Sequence, residues 1–181
     1  MHRYIALLRG INVGGHRKIK MAKLRSLFED WGYHNIETYI QSGNIAFDTD
    51  QENPKQLSAT VKQHILDTLE FDVPVIIRDE AQLQDVITHN PFPDVELSKT
   101  TKLYVTFLSE VPDQEKAESL LSHQNDAEKF HLTGKELYVL IHKDKVVKSV
   151  FSNAFVERKL KVSATNRNWR TVNKIYDMVK G

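Results

Sequence analysis

Between Tyr4 and Ile77 the apolar residues change period in a set order, and that order restricts the topologies open to the chain. Tyr4 to Arg9 is a short run that reads as a buried strand. Met21, Leu24, Phe28 and Trp31 then recur at helical spacing, with Gly32 as a stop. Ile36 to Ile40 and Asn44 to Asp48 are strand-like runs joined around Ser42-Gly43, which predicts a hairpin. Asn53 is placed to cap a helix with Pro54 in its first turn and Leu57, Val61, Ile65 and Leu69 along its apolar stripe. Val73 to Ile77 closes the series as a strand, which Pro74 confines to a sheet edge or to the strand's first position. Strand, helix, strand, strand, helix, strand is the ferredoxin-like arrangement.

A second series follows. A helix with Leu83, Val86 and Ile87 and a proline-marked loop over 90–100 lead to a strand at Leu103 to Leu108. Pro112 then starts a helix with Ala117, Leu120 and Leu121. Lys129 to Leu132 and Leu137 to His142 flank Thr133-Gly134 as a hairpin, and Val147, Val150, Phe151 and Ala154 fall at i, i+3, i+4, i+7 of a further helix. A short strand around Val162 to Thr165 precedes a last helix starting near Asn168, with Trp169, Val172, Tyr176 and Val179 as its stripe. The expected class is α+β, two ferredoxin-like βαββαβ repeats in tandem with an extra C-terminal helix. The element order reads as a duplication. The expected division is a first subdomain at 1–78 carrying a glycine loop, a helix and proline-marked linker at 79–101, and a second subdomain at 102–181 with a basic C-terminal helix. With 181 residues, 40% of them hydrophobic and 27% charged, two small packed cores fit the length and the composition.

The segment from Leu8 to Lys20, LRGINVGGHRKIK, is the one most suited to a ligand. A glycine-rich turn lets backbone N–H groups approach an anion, and the positive end of the following helix dipole points to the same place. Gly10, Gly14 and Gly15 do not match the P-loop, since Ile19 rather than Ser or Thr follows Lys18, nor do they match G-x-G-x-x-G. The hairpin turn at Gln41, Ser42 and Asn44 adds polar side chains. Ser42 lies in a strand-to-strand turn without a nucleophile elbow or a recognisable His-Asp pair, so it is not expected to be a nucleophile. A second cluster, Thr165 to Thr171, sets Arg167 and Arg170 around Trp169, with Asn168 between; arginine and tryptophan together suit phosphate pairing and stacking on a base or sugar, although Trp169 also fits the apolar stripe.

Charge is segregated behind a formal net value of +1. Residues 1–25 hold seven Lys or Arg and no acid, and residues 143–181 hold ten against Asp144, Glu157 and Asp177. Two basic ends folded onto one face would make a local field that the net charge conceals. The chain has no cysteine, which excludes disulfides and thiolate chemistry, and its eight histidines show no metal-ligand spacing; no metal or cofactor is expected. The apolar run Tyr4 to Leu8 is too short for a signal sequence or a membrane span, so the expected location is the cytoplasm. An RNA recognition module shares the ferredoxin-like order, but the strands Tyr4 to Arg9 and Asn44 to Asp48 lack its stacking aromatics.

The stretch YIALLRGINVGGHRKIKMAKLRSLFEDWGYHNIETYIQSGNIAF, with the distal SATNRNWRTVNKI, closely resembles a bacterial family of unknown function, domain of unknown function 1697, over nearly the whole chain. The positions characteristic of such proteins correspond here to Arg9, Gly10, Asn12, Gly14, Gly15, Lys20, Met21, Gln41, Ser42, Gly43, Asn44, Thr165, Arg167, Asn168 and Trp169. The resemblance implies an α+β fold and no particular activity.

The expected function is binding of a phosphate-bearing ligand, a nucleotide or a nucleic acid, at a composite basic site. Arg9, Lys18, Lys20, Arg167 and Arg170 would meet phosphates, with Asn168 and Trp169 beside them. Gly10, Asn12, Gly14 and Gly15 would shape the loop, and Gln41, Ser42 and Asn44 would orient the ligand. Whether any reaction is catalysed stays open. The alternatives are an enzyme acting on a small phosphorylated or acyl substrate, and a homodimeric interaction module; a membrane is not an expected partner.

Overall fold

A computed structural model describes residues 1–146 and 148–181. The elements run β1 (His2–Leu8), α1 (Met21–Asp30), β2 (His34–Tyr39), β3 (Asn44–Thr49), α2 (Pro54–Leu69), β4 (Val75–Asp79) and α3 (Glu80–Thr88). They continue as β5 (Thr101–Leu108), α4 (Gln114–Leu121), β6 (Glu128–Thr133), β7 (Glu136–His142), α5 (Asn153–Leu160), β8 (Ala164–Asn168) and α6 (Trp169–Val179). The class is α+β: among the described residues, six helices accompany two four-stranded antiparallel sheets, ordered β2-β3-β1-β4 and β6-β7-β5-β8. No helix among the described residues is long and apolar enough to cross a membrane.

The chain divides into two compact units, residues 1–85 with 173–181, and residues 86–172. In the first, alternate residues of the central strands, Tyr4, Ala6 and Leu8 of β1 and Ile45 and Phe47 of β3, face Leu24, Leu27 and Phe28 of α1 and Leu57, Val61 and Ile65 of α2. The period of two along the strands and the helical period along the helices thus meet in one core. Asn53 caps α2, its side chain accepting from Lys55 and Gln56 N–H. Pro74 stands just ahead of β4, which is an edge strand, and its carbonyl accepts from Arg9 N–H (3.0 Å). Arg3 on β1 donates through Nε to the carbonyl of Met178 (2.8 Å), so the end of α6 is held to the first sheet. The division expected from the sequence places that whole helix in the subdomain at 102–181, whereas residues 173–181 belong to the first unit.

In the second unit Leu108, Leu137, Val139, Ile141 and Ala164 of the sheet pack with Leu120 of α4 and with Phe155, Val156 and Leu160 of α5. This differs from the stripe expected from the sequence. The Ser152 side chain accepts from Phe155 N–H (3.0 Å) and starts α5 at Asn153, and Val150 N–H donates to the buried carboxylate of Glu128 (3.1 Å). Val150 and Phe151 therefore precede the helix, Ala154 is exposed, and Val147 lies outside the described residues. The cap and the Glu128 anchor override the apparent period. In α6 the buried positions are Thr171, Val172, Ile175 and Val179, with Tyr176 half-buried.

Candidate functional site

The glycine loop is a small hairpin. Val13 and His16 form an antiparallel bridge closed by His16 N–H donating to Val13 carbonyl (3.0 Å). Gly14 and Gly15 between them have φ of +59° and +81°, which matches a type I′ turn and accounts for two adjacent glycines. Below the tip, Asn12 N–H donates to the Arg17 carbonyl (3.2 Å). The Asn12 side chain then ties the loop together. Its Oδ1 accepts from Ile19 N–H (2.8 Å), and its Nδ2 donates to the carbonyls of Ile19 (3.0 Å) and Gln41 (2.9 Å).

The last of these bonds joins the glycine loop to the β2–β3 turn. Leu8 N–H adds a second link by donating to the Gly43 carbonyl (2.8 Å). Gly43 has φ +79°, and a Cβ there would stand 2.8 Å from both Ile11 Cδ1 and Leu8 Cβ, so only glycine lets the turn approach this closely. Buried Asn44 donates through Nδ2 to the Tyr39 carbonyl (2.9 Å) and Ser42 Oγ (3.0 Å), and thereby shapes the turn.

Around this frame Lys18, Lys20 and Gln41 are exposed and Arg9 is half-buried. Arg17, which no motif in the sequence singles out, is exposed beside them. Its backbone has φ +47°, and its Nη1 lies 3.4 Å from where a Cβ on Gly10 would be. Lys20 is the residue before α1; its side chain makes no capping bond, and no acid stands in the helix's first turn. Ile40, in the adjoining turn, has φ +50° and is 48% exposed, which no pattern in the sequence announces. The structure thus brings the loop and the hairpin turn together.

The distal cluster lies in the second unit. Arg167 on β8 is buried, its Nη1 donating to Thr165 Oγ1 (2.8 Å) and to the Asn166 carbonyl (2.8 Å), and burial pushes its guanidinium down to about 10. Asn168 Oδ1 accepts from Thr171 N–H (2.9 Å) at the start of α6. Trp169 opens that helix half-buried, and Arg170 is exposed. Among the described residues no group of three or more His, Asp or Glu side chains is arranged to hold a metal ion.

Two antiparallel sheets, each with helices packed on one face, and a glycine hairpin ahead of α1 define an α+β protein. The chain belongs to the family described as protein of unknown function (DUF1697), whose model matches residues 1–138. The distal motif SATNRNWRTVNKI lies beyond the matched residues. No curated protein matches the chain. Among solved structures it is similar to the conserved bacterial protein SP0830 from Streptococcus pneumoniae, at 25% identity, with a TM-score of 0.75 and 99% of each chain covered.

Proposed function

We propose that the protein binds a phosphate-bearing ligand, a nucleotide or a nucleic acid, where the glycine loop, the start of α1 and the β2–β3 turn meet. One observation carries this reading: Arg17, Lys18, Lys20 and Lys23 are exposed, and none forms a salt bridge among the described residues, at a helix start without a side-chain cap. The first N–H groups of α1 and the helix dipole favour an anion there, and the cations add attraction from a loop already braced by Asn12. Gly14 and Gly15 are exposed and offer backbone N–H groups. The proposal rests on the first unit alone, because the Arg167 guanidinium is enclosed in the second.

The test is fluorescence anisotropy at low salt with a labelled oligothymidylate of about twelve nucleotides, within the span one small domain covers, and with a labelled nucleoside triphosphate. The double variant Arg17→Ala, Lys18→Ala is expected to bind about tenfold more weakly, since each phosphate contact releases counterion. Wild-type protein that binds neither probe would remove the proposal.

We further infer that each unit is a ferredoxin-like βαββαβ module and that the two arose by duplication. This is supported by the strand orders, since adding four to each number in the first sheet yields the second. The same reading puts the protein in the cytoplasm, where nucleotides and nucleic acids are abundant.

A further inference from the structure

We infer that the ligand is a single strand of nucleic acid, its phosphates held by Arg17, Lys18 and Lys20 and its bases packed against Val13 and Ile40; this rests on the phosphate-binding reading above. Val13 is 62% exposed and Ile40 48% exposed, two of only five large hydrophobic residues so exposed among the described residues. They belong to one end of the first unit. Val13 follows Asn12 and Ile40 precedes Gln41, and Asn12 Nδ2 donates to the Gln41 carbonyl at 2.9 Å.

Singly exposed aliphatic side chains are ordinary, but Ile40 is not. It is β-branched, its φ of +50° lies in the left-handed region, and its side chain recovers little by burial. A glycine or asparagine would hold the same turn with less strain. Of the six non-glycine residues with positive φ among the described residues, Glu70 and Lys161 are helix C-caps and Asn12 and Asn35 are asparagines. Arg17 and Ile40 remain, and both lie at this end.

Charge selects the occupant. Residues 8–28 and 38–47 contain no acid, so the two turns that carry the exposed aliphatic side chains bear no anion along their own segments, and the first of these segments bears cations. A mononucleotide presents one base beside one compact charge. Here Val13 and Ile40 sit on separate turns, and cations follow one another from Arg17 to Lys23, which suits a polymer that alternates apolar bases with phosphates.

The experiment uses the whole protein and two labelled oligomers of equal phosphate number, oligothymidylate and an abasic strand. Ile40→Gly is chosen because φ +50° suits glycine, and Val13→Ser because the side chain is exposed. Wild type is expected to bind oligothymidylate about tenfold more tightly than the abasic strand. In either variant that preference should fall to about threefold or less, with abasic binding unchanged. Equal binding of both strands by wild type, or a preference that survives both substitutions, overturns the inference and leaves phosphate binding standing. Binding to phosphatidylserine vesicles that depends on Val13 and Ile40, without a preference between the two strands, overturns it in favour of a membrane surface. Failure to bind either strand or a nucleoside triphosphate overturns the phosphate reading itself.

Discussion

A single amide, that of Asn12, holds the glycine loop closed and fastens it to the neighbouring turn. It does so from a backbone with φ +54°, a conformation asparagine tolerates better than most residues. Asn12→Ala removes three hydrogen bonds and is expected to cost about 1–3 kcal/mol in urea unfolding. Asn12→Asp should cost more, although it is nearly isosteric. It could still accept from Ile19 N–H, but its carboxylate would face the carbonyls of Ile19 and Gln41, to which the amide now donates. An aspartate variant as stable as wild type would show that the two donated bonds contribute nothing. Gly14 and Gly15 declared a tight turn in the sequence because adjacent glycines are what a type I′ turn needs. Ile40 declared nothing, since its positive φ is imposed by the hairpin and is no preference of isoleucine.

At the scale of elements, Arg3 joins three strands to the end of the last helix. Its Nη1 donates to Asp48 Oδ1 (2.8 Å) and the Asn35 carbonyl (3.0 Å), its Nη2 pairs with Glu37, and its Nε donates to the Met178 carbonyl. Burial pushes the Asp48 carboxyl up, but hydrogen bonds from Asn35 and Arg3 outweigh it and hold the group below its ordinary 3.8. A carboxyl depressed in the fold contributes stability above its unfolded value and loses that contribution as pH falls through its folded one. Asp48→Asn is therefore expected to be less stable than wild type at about pH 6, with the gap narrowing as the pH drops below about 4. Thermal unfolding of both proteins across that range checks this, and a gap that is constant with pH would assign it to packing. Helix α2 was legible from Asn53 and Pro54, because cap and first turn are neighbours in sequence. Helix α5 was misjudged because an anchor at Glu128, far away in the chain, fixes where the preceding segment lies.

For the whole molecule, the net charge of +1 says little about partners, since residues 1–25 carry seven cations and no acid. The field at the loop is local, and salt should screen it even though the protein as a whole is nearly neutral. If Arg17, Lys18 and Lys20 each meet a phosphate of a single strand, the logarithm of the association constant should fall against the logarithm of salt with a slope of about −2, at roughly −0.7 per contact. Anisotropy titrations at several salt concentrations measure it, and a flat response would exclude these contacts. The two sheets share one strand order, yet the second unit joins β5 to α4 without any glycine hairpin, so the loop is an addition to a common scaffold.

The sequence by itself determined the α+β class, most element positions and the glycine turn, because periodicity, caps and turn residues act within a few positions of one another. Pro74, which lacks an N–H, left an edge strand or a first position open for β4, and in the structure it stands just ahead of an edge strand. Only the tertiary structure decided that Asn12 reaches Gln41, that Gly43 must be bare against Leu8 and Ile11, and that Ile40 is held exposed in a left-handed backbone. The first two depend on segments meeting that are distant in the chain, and the third on a hairpin that imposes a backbone isoleucine does not prefer; no local preference encodes either. Arg167 is the same case in reverse. Its flanking residues suggested an exposed cation beside an aromatic ring, whereas strand pairing with β5 places its guanidinium in the interior of the second unit.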